Sequence, residues 1–309
     1  MESNGISTFH RHKERIPLID DVHPNDSVFS KGRIRPSVRA RGVMSNDPVT
    51  YSIEAHTASI TLARPERHNT LTGELVRGLF TALDRAREDP EVRVAILTAA
   101  GDADFCLGAD MKEPDGFPSR ALTEAIRLDD PVNLSQTWIK RIRDFDKPLI
   151  AAINGRAVGG GLGLAMCCDI LIASDRASFG CGFAFNLFAA LDGVNYHLTR
   201  FLPWHKACDF AFSGEVIGAH EAEALGLVNK VVPHALLMDE VQKKADQIAR
   251  MAPLGLRAAK RYMWGAYQND LEMSLAHSEV LAGAVRQSAD FEEAMKAFAE
   301  KRPPKFQGK

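Results

Sequence analysis

The chain has 309 residues, 45% of them hydrophobic, and its 38 lysines and arginines nearly balance 40 aspartates and glutamates for a net charge of −2. That length accommodates one large domain or two ordinary ones with ample core, and the even charge balance gives no basis for binding nucleic acid or a membrane surface. Five cysteines without metal-ligand spacing, among them adjacent Cys167-Cys168 in an apolar stretch, read as reduced thiols of a cytoplasmic protein rather than as disulfides or a metal site.

No apolar run approaches the length of a membrane-spanning helix, and the N-terminus lacks the hydrophobic core of a secretory signal. Residues 1–47 are rich in Arg, His and Ser with little periodicity, which predicts an extended basic arm outside the packed domain. The segment from Lys31 to Arg41 is basic enough for an organelle transit sequence, but Glu2, Asp20 and Asp21 argue against one and favour a solvated arm or an intersubunit strap.

Thr57 to Leu62 is β-branched and strand-like, and Leu75, Leu79, Leu83 and Ala86 then repeat at helical spacing up to an Asp89-Pro90 stop. A strand over Val92 to Thr98 follows, then a helix over Leu134 to Arg143, an apolar strand over Leu149 to Ile153, a helix over Gly160 to Cys168, and another apolar strand over Ile170 to Ala173. Strands alternating with helices predict right-handed crossovers in an α/β fold with a largely parallel sheet. The continuous apolar runs predict strands buried on both faces. After Asn195 the pattern is helical apart from Val228 to Val232, with apolar residues three and four apart over Leu236 to Met251, Gly255 to Tyr267 and Leu271 to Gln287. The expected division is therefore a core over residues 48–240 and a helical C-terminal region over 241–309.

Two glycine-containing turns carry the chemistry: Phe105-Cys106-Leu107-Gly108-Ala109-Asp110, and Asn154-Gly155-Arg156-Ala157-Val158-Gly159-Gly160-Gly161. Each follows a strand-like run and leads into helix-like sequence, an arrangement able to aim two backbone N–H groups at one carbonyl oxygen as an oxyanion hole. Leu62 to Leu71, with its Arg64-Pro65-Glu66-Arg67-His68-Asn69 core, Gly218-Ala219-His220-Glu221-Ala222 to Val228, and Phe298-Ala299-Glu300-Lys301-Arg302 complete a set of words. Together they resemble the crotonase (enoyl-CoA hydratase/isomerase) superfamily from about residue 50 onward. The resemblance implies a crotonase (ClpP-like) fold of repeated ββα units, and a helical C-terminal region that packs on neighbouring subunits to make homotrimers or homohexamers. It implies an acyl-CoA substrate, with coenzyme A as its carrier and no permanently bound cofactor or metal. It assigns the oxyanion donors to the backbone amides of Ala109 and Gly160, and coenzyme A binding to Glu66, Arg67, His68, Asp110, Met111, Lys305 and Phe306. A lone GGG more often serves a tight turn, and a basic tail or loop charge is equally an ordinary solvated group.

Hydratases of this family use two glutamates, at positions that are Gly163 and Phe183 here. Neither residue transfers a proton, so ordinary hydration of short straight-chain enoyl thioesters is not expected. The aromatic stretch Phe179 to Phe188 suggests instead an apolar pocket for a bulky or cyclic acyl group, although any single phenylalanine there is more commonly core. Asp192 is the acid nearest in sequence to the reaction centre. Buried, it would titrate near neutral pH and move a proton; its plainer role is the N-cap of a helix starting near Val194. Tyr196, His197, Arg127, Asp129 and Asp130 are expected in solvated or capping roles, and His205 and His220 at helix starts. The function expected is an acyl-CoA lyase or isomerase that stabilises an enolate or oxyanion. The alternatives are a C–C hydrolase of a cyclic β-diketone or 3-oxoacyl-CoA, and a non-catalytic CoA-ester-binding or assembly subunit.

Overall fold

The computed structural model describes residues 47–110, 112, 134–182 and 193–309, the side chains of 134–137 excepted. Strands β1 (Val49–Glu54) and β2 (Thr57–Leu62) form an antiparallel pair. Helix α1 (Gly73–Glu88) starts at Thr72, whose hydroxyl accepts from the Leu75 N–H, and buries Leu75, Leu79, Leu83 and Ala86 on one face. Its C-terminal carbonyls are closed by a side chain from elsewhere: Lys147 Nζ donates to Ala86 O at 2.8 Å and Asp89 O at 2.6 Å. Burial pushes the Lys147 ammonium pKa down, so these two acceptors are what keep a buried cation tolerable.

Next come three units in which two strands precede a helix or turn. They contain β3 (Val94–Ala99) and β4 (Asp104–Cys106); α2 (Leu134–Arg143); β5 (Leu149–Ile153), β6 (Arg156–Val158) and α3 (Gly160–Met166); and β7 (Ile170–Ser174) with β8 (Ser178–Gly180). After them lie α4 (Val194–Phe201), α5 (Trp204–Ser213), β9 (Val216–Gly218), α6 (Ala219–Ala224), β10 (Lys230–Val232) and α7 (Leu237–Ala249). Helices α8 (Pro253–Ala266), α9 (Leu271–Arg286) and α10 (Ala289–Glu300) complete the described chain.

From β3 to β8, consecutive strands go to different sheets. The larger sheet runs β1-β2-β3-β5-β7-β10, parallel except for β1, and the smaller runs β4-β6-β8-β9, parallel except for β9. Alternate residues of the central strands therefore serve two cores. Ala95, Leu97, Leu149, Ala151, Ile153, Leu171 and Ala173 face the main cluster with α1 and the buried Trp138 and Phe145. Val94, Ile96, Ile150, Ala152 and Ile172 face Leu237, Val241, Ala245 and Ala249 of α7. This is the crotonase architecture expected from the sequence. The strand predicted from Val92 begins at Val94, because the Val92 N–H is still used in a turn onto Asp89 O. The helix predicted to reach Cys168 ends at Met166, where the Cys167 and Cys168 amides tighten onto Leu164 O and Ala165 O.

The two sheets meet at glycines. A Cβ on Gly155 would overlap the carbonyl of Ala103, and one on Gly161 would overlap the carbonyl of Cys106, so the chain after β5 lies directly on the chain leading through β4. Gly155→Ala is therefore expected to destabilise the protein by about 3 kcal/mol, since the obstructing atoms are backbone. Gly218→Ala has open space around it and should shift the thermal midpoint little. Melting of the two variants against wild type at one scan rate checks both.

Candidate functional site

The loop after β2 is rigid before any ligand arrives. Asn69 is completely buried at φ 51°, its Oδ1 accepting from the Arg64 N–H at 2.9 Å while its Nδ2 donates to Ala100 O and Asp104 O, both at 3.0 Å. Short polar side chains tolerate this left-handed backbone because they can bond locally. Asn69 thereby joins the loop after β2 to the segment linking β3 and β4. His68 precedes it at φ 55° and its Nδ1 lies 2.8 Å from Asp104 Oδ2, while Arg156 Nε donates to Asp104 Oδ1 at 2.6 Å. Burial disfavours the Asp104 charge, but the bonds from Arg156 and His68 hold its carboxyl below the usual range.

A second carboxylate fixes the glycine turn itself. Asp110 is 4% exposed and accepts from Arg67 Nη2 at 2.9 Å on both oxygens, from the Thr70 hydroxyl at 2.9 Å and from the Lys112 N–H at 3.1 Å. Burial works against its charge, and these donors outweigh burial to hold the carboxyl below the usual range. Arg67 and Asp110, both expected to meet coenzyme A, thus bond to each other. Glu66 is exposed beside them and His68 keeps 58% of its side chain in solvent.

The two turns converge. Gly108 stands at φ 80°, and a Cβ there would lie 3.0 Å from Val158 O and 3.1 Å from the Gly160 nitrogen. Leu71 forms a parallel bridge to Ala109, donating to Gly108 O at 2.7 Å and accepting from the Asp110 N–H at 3.0 Å. That pattern uses the groups on either side of Ala109 and leaves its own N–H pointing the other way. Gly160 is the first residue of α3, after Gly159 at φ 55° and ψ −120°, so its N–H has no carbonyl within the helix. Among the described residues neither amide has a hydrogen-bond partner.

The other expected site residues are placed differently. Gly163 is buried in the middle of α3. Phe183, Met111 and Asp192 lie outside the described residues, as do Arg127, Asp129 and Asp130. The N-cap of α4 is Gly193 at φ 69°, not Asp192. The expectation of a solvated or capping His197 is corrected by full burial: Nδ1 bonds Gly193 O at 2.9 Å and Nε2 meets Arg143 Nη1 at 3.4 Å. His205 and His220 do fall in the first turns of α5 and α6.

Lys305 and Phe306 are not brought to the turns within one chain. The Lys305 N–H donates to Glu293 at 2.7 Å, and the Phe306 carbonyl accepts from Arg93 at 2.6 Å. Arg93 precedes β3 whereas the glycine turns follow the strands' far ends, about 20 Å away at roughly 3.3 Å per residue over a six-residue strand. Asn69 and Thr70 stand in the sequence only as letters of the Leu62 to Leu71 word, and Asp104 carries no local signal, because the long-range partners that give these residues their roles lie 31, 40 and 52 residues away.

The chain matches the family described as Enoyl-CoA hydratase/isomerase over residues 52–309. It is 40% identical to an (E)-benzylidenesuccinyl-CoA hydratase of Thauera aromatica over 263 residues, 84% of this chain and 99% of that one. An enoyl-CoA hydratase structure from Bacillus anthracis is similar with a TM-score of 0.77 and 32% identity, covering 85% of this chain and all of the other. One from Polaromonas sp. JS666 gives 0.72 and 30%, covering 84% and 99%.

His197 supplies a pH prediction. Burial, with Arg143 and Arg200 nearby, pushes its pKa down from 6.5 to about 4. A ring that must stay neutral in the fold contributes fully above pH 6.5 and loses that contribution as pH falls toward 4, about 3 kcal/mol in all at 1.36 kcal/mol per unit. Urea midpoints at pH 7.5 and 4.5 should diverge less in His197→Asn than in wild type.

Proposed function

The chain belongs to the enoyl-CoA hydratase/isomerase family, and on that premise we propose that it adds water to, or removes it from, a CoA thioester whose acyl group carries a ring. The observation carrying this reading is the close approach of the two turns at Gly108 and Gly160, where the Ala109 and Gly160 amides have no hydrogen-bond partner among the described residues. A thioester carbonyl seated there gains two donors as its oxygen becomes an enolate oxyanion during attack at the β-carbon. The benzylidene group in the name of the Thauera aromatica relative supports a bulky acyl part, as does Gly163 where straight-chain hydratases carry a carboxylate.

A ring conjugated to the β-carbon also bears on the missing glutamates. In the dehydration direction it stabilises the positive charge left on the β-carbon as the C–O bond breaks, so departure of the hydroxyl leans less on a strong acid. Asp192 is the residue proposed to move the remaining proton, adjoining Gly193, whose carbonyl His197 holds. Glu66, Arg67, His68, Asp110 and Met111 are proposed at the coenzyme A side, Arg67 and Asp110 acting there as one ion pair. Lys305 and Phe306 are proposed to reach a neighbouring subunit's coenzyme A, since they lie far from the turns of their own chain. Exposed Leu271, Met273, Leu275, Val280 and Phe298 support assembly into homotrimers or homohexamers through the C-terminal helices.

The replaced carboxylate at Gly163 also favours a second reading, a CoA-ester-binding subunit without chemistry. Mass-spectrometric turnover of aliphatic, aromatic and alicyclic enoyl- and 3-oxoacyl-CoA thioesters separates the two. Wild type should hydrate an aryl-conjugated member. Gly160→Pro deletes one N–H at the helix position where proline is best tolerated. It should lower kcat by about 10²–10³-fold while melting near wild type. Asp192→Asn should abolish turnover without weakening thioester binding. Tight binding with no turnover across the set would establish the non-catalytic reading; cleavage of a 3-oxoacyl member would establish the C–C hydrolase.

A further inference from the structure

A cleft of about 910 Å³ lies between α2, α4 and α8, lined by Arg143, Asp146, Tyr196, Lys260, Arg261 and Trp264 among others. It is not at the glycine turns. Lys260 Nζ donates to Lys147 O at 2.9 Å and to Asp169 Oδ2 at 2.6 Å, and those residues immediately precede β5 and β7. The cleft thus sits where the central strands begin, whereas the turns follow the strands' ends.

Its charges are unevenly satisfied. The Arg143 guanidinium lies 3.4 Å from the Trp264 ring centroid and 5.2 Å from that of Tyr196, and donates to His197, yet it has no carboxylate partner among the described residues. Arg261 is exposed on the rim and likewise forms no ion pair among them. Asp146, whose Oδ2 Arg257 takes, and Tyr196 Oη, beside Arg143 and Gln268, are closed to solvent and offer nothing to a ligand, so the two arginines are the groups the cleft presents.

The geometry points to a second ligand site here, taking an aromatic carboxylate. The anion meets the Arg143 fork and Arg261, and the ring lies along Trp264. The volume suits an organic molecule and is far larger than an inorganic ion needs. Arginine held on aromatic faces is pre-organised for a planar anion, which lysine in the same place is not.

The test uses the full-length protein in its native assembly and the fluorescence of Trp264, with Trp264→Phe identifying that residue's share of the signal. Titration with 3-phenylpropanoate should give a saturable change that persists in saturating coenzyme A and in Gly160→Pro. Arg143→Leu should weaken it about ten-fold or more, Arg143→Lys less, and exposed Arg261→Ala a few-fold, the last guarding against a folding defect at Arg143. 3-Phenylpropanol, which lacks the carboxylate, should bind more weakly, and inorganic phosphate should not compete. Absence of a saturable change, equal binding by phosphate, displacement by coenzyme A, or unchanged affinity in both arginine variants would each overturn the proposal. None of these depends on turnover, so the site can fail while the thioester reading stands, and the reverse.

Discussion

Two carbonyl oxygens, of Ala103 and Cys106, occupy the space where side chains at positions 155 and 161 would begin. That exclusion of two methyl-sized groups lets the backbone after β5 lie against the backbone around β4, and the smaller sheet and the paired turns depend on it. Glycine at these positions weakens the local chain in isolation. The compensation comes from the close seam it permits, which brings Gly108 against Gly160 and leaves the Ala109 and Gly160 amides without a hydrogen-bond partner among the described residues.

Charge then immobilises what the glycines allow. Asp104 gathers His68 and Arg156, and Asp110 gathers Arg67, Thr70 and the Lys112 amide, so two buried carboxylates tie three separate loops together. Each carboxylate is more acidic than usual because its donors overcome its burial. A backbone donor stabilises developing charge only insofar as it need not reorganise during the reaction. The ion pairs of Asp104 and Asp110 fix the turn that holds Ala109, which is what the donor role proposed for its N–H requires.

Much of this was legible in the residues because glycine and unbroken apolar runs answer to constraints that are local. A strand such as Leu149–Ile153 with no polar residue announces burial on both faces, and Gly159-Gly160-Gly161 announces backbone in tight quarters. The three-residue strands of the smaller sheet were invisible, being shorter than the four or more residues over which a two-residue alternation shows. The ion pairs were invisible for another reason: Arg67 and Asp110 are 43 residues apart, and Arg156 and Asp104 are 52 apart, so nothing local distinguishes them from solvated loop charges. Arg67 therefore read as a free phosphate ligand although its first partner is within the protein. Helix α9 shows the converse limit, since its apolar residues spell out a helix but only Ser274 is buried, and what covers the rest is not written in its own period.

The strands that serve two cores at once bear on how this protein fails. Val94–Ala99, Leu149–Ile153 and Ile170–Ser174 are uncharged, β-prone segments with no proline, shielded on both faces only while α1 and α7 stay docked. Once released, each is a template for pairing with the same segment of another molecule. Lifting either helix exposes such a template, so heating opens a route to aggregation that competes with refolding and lies in the same strands that hold the two cores together.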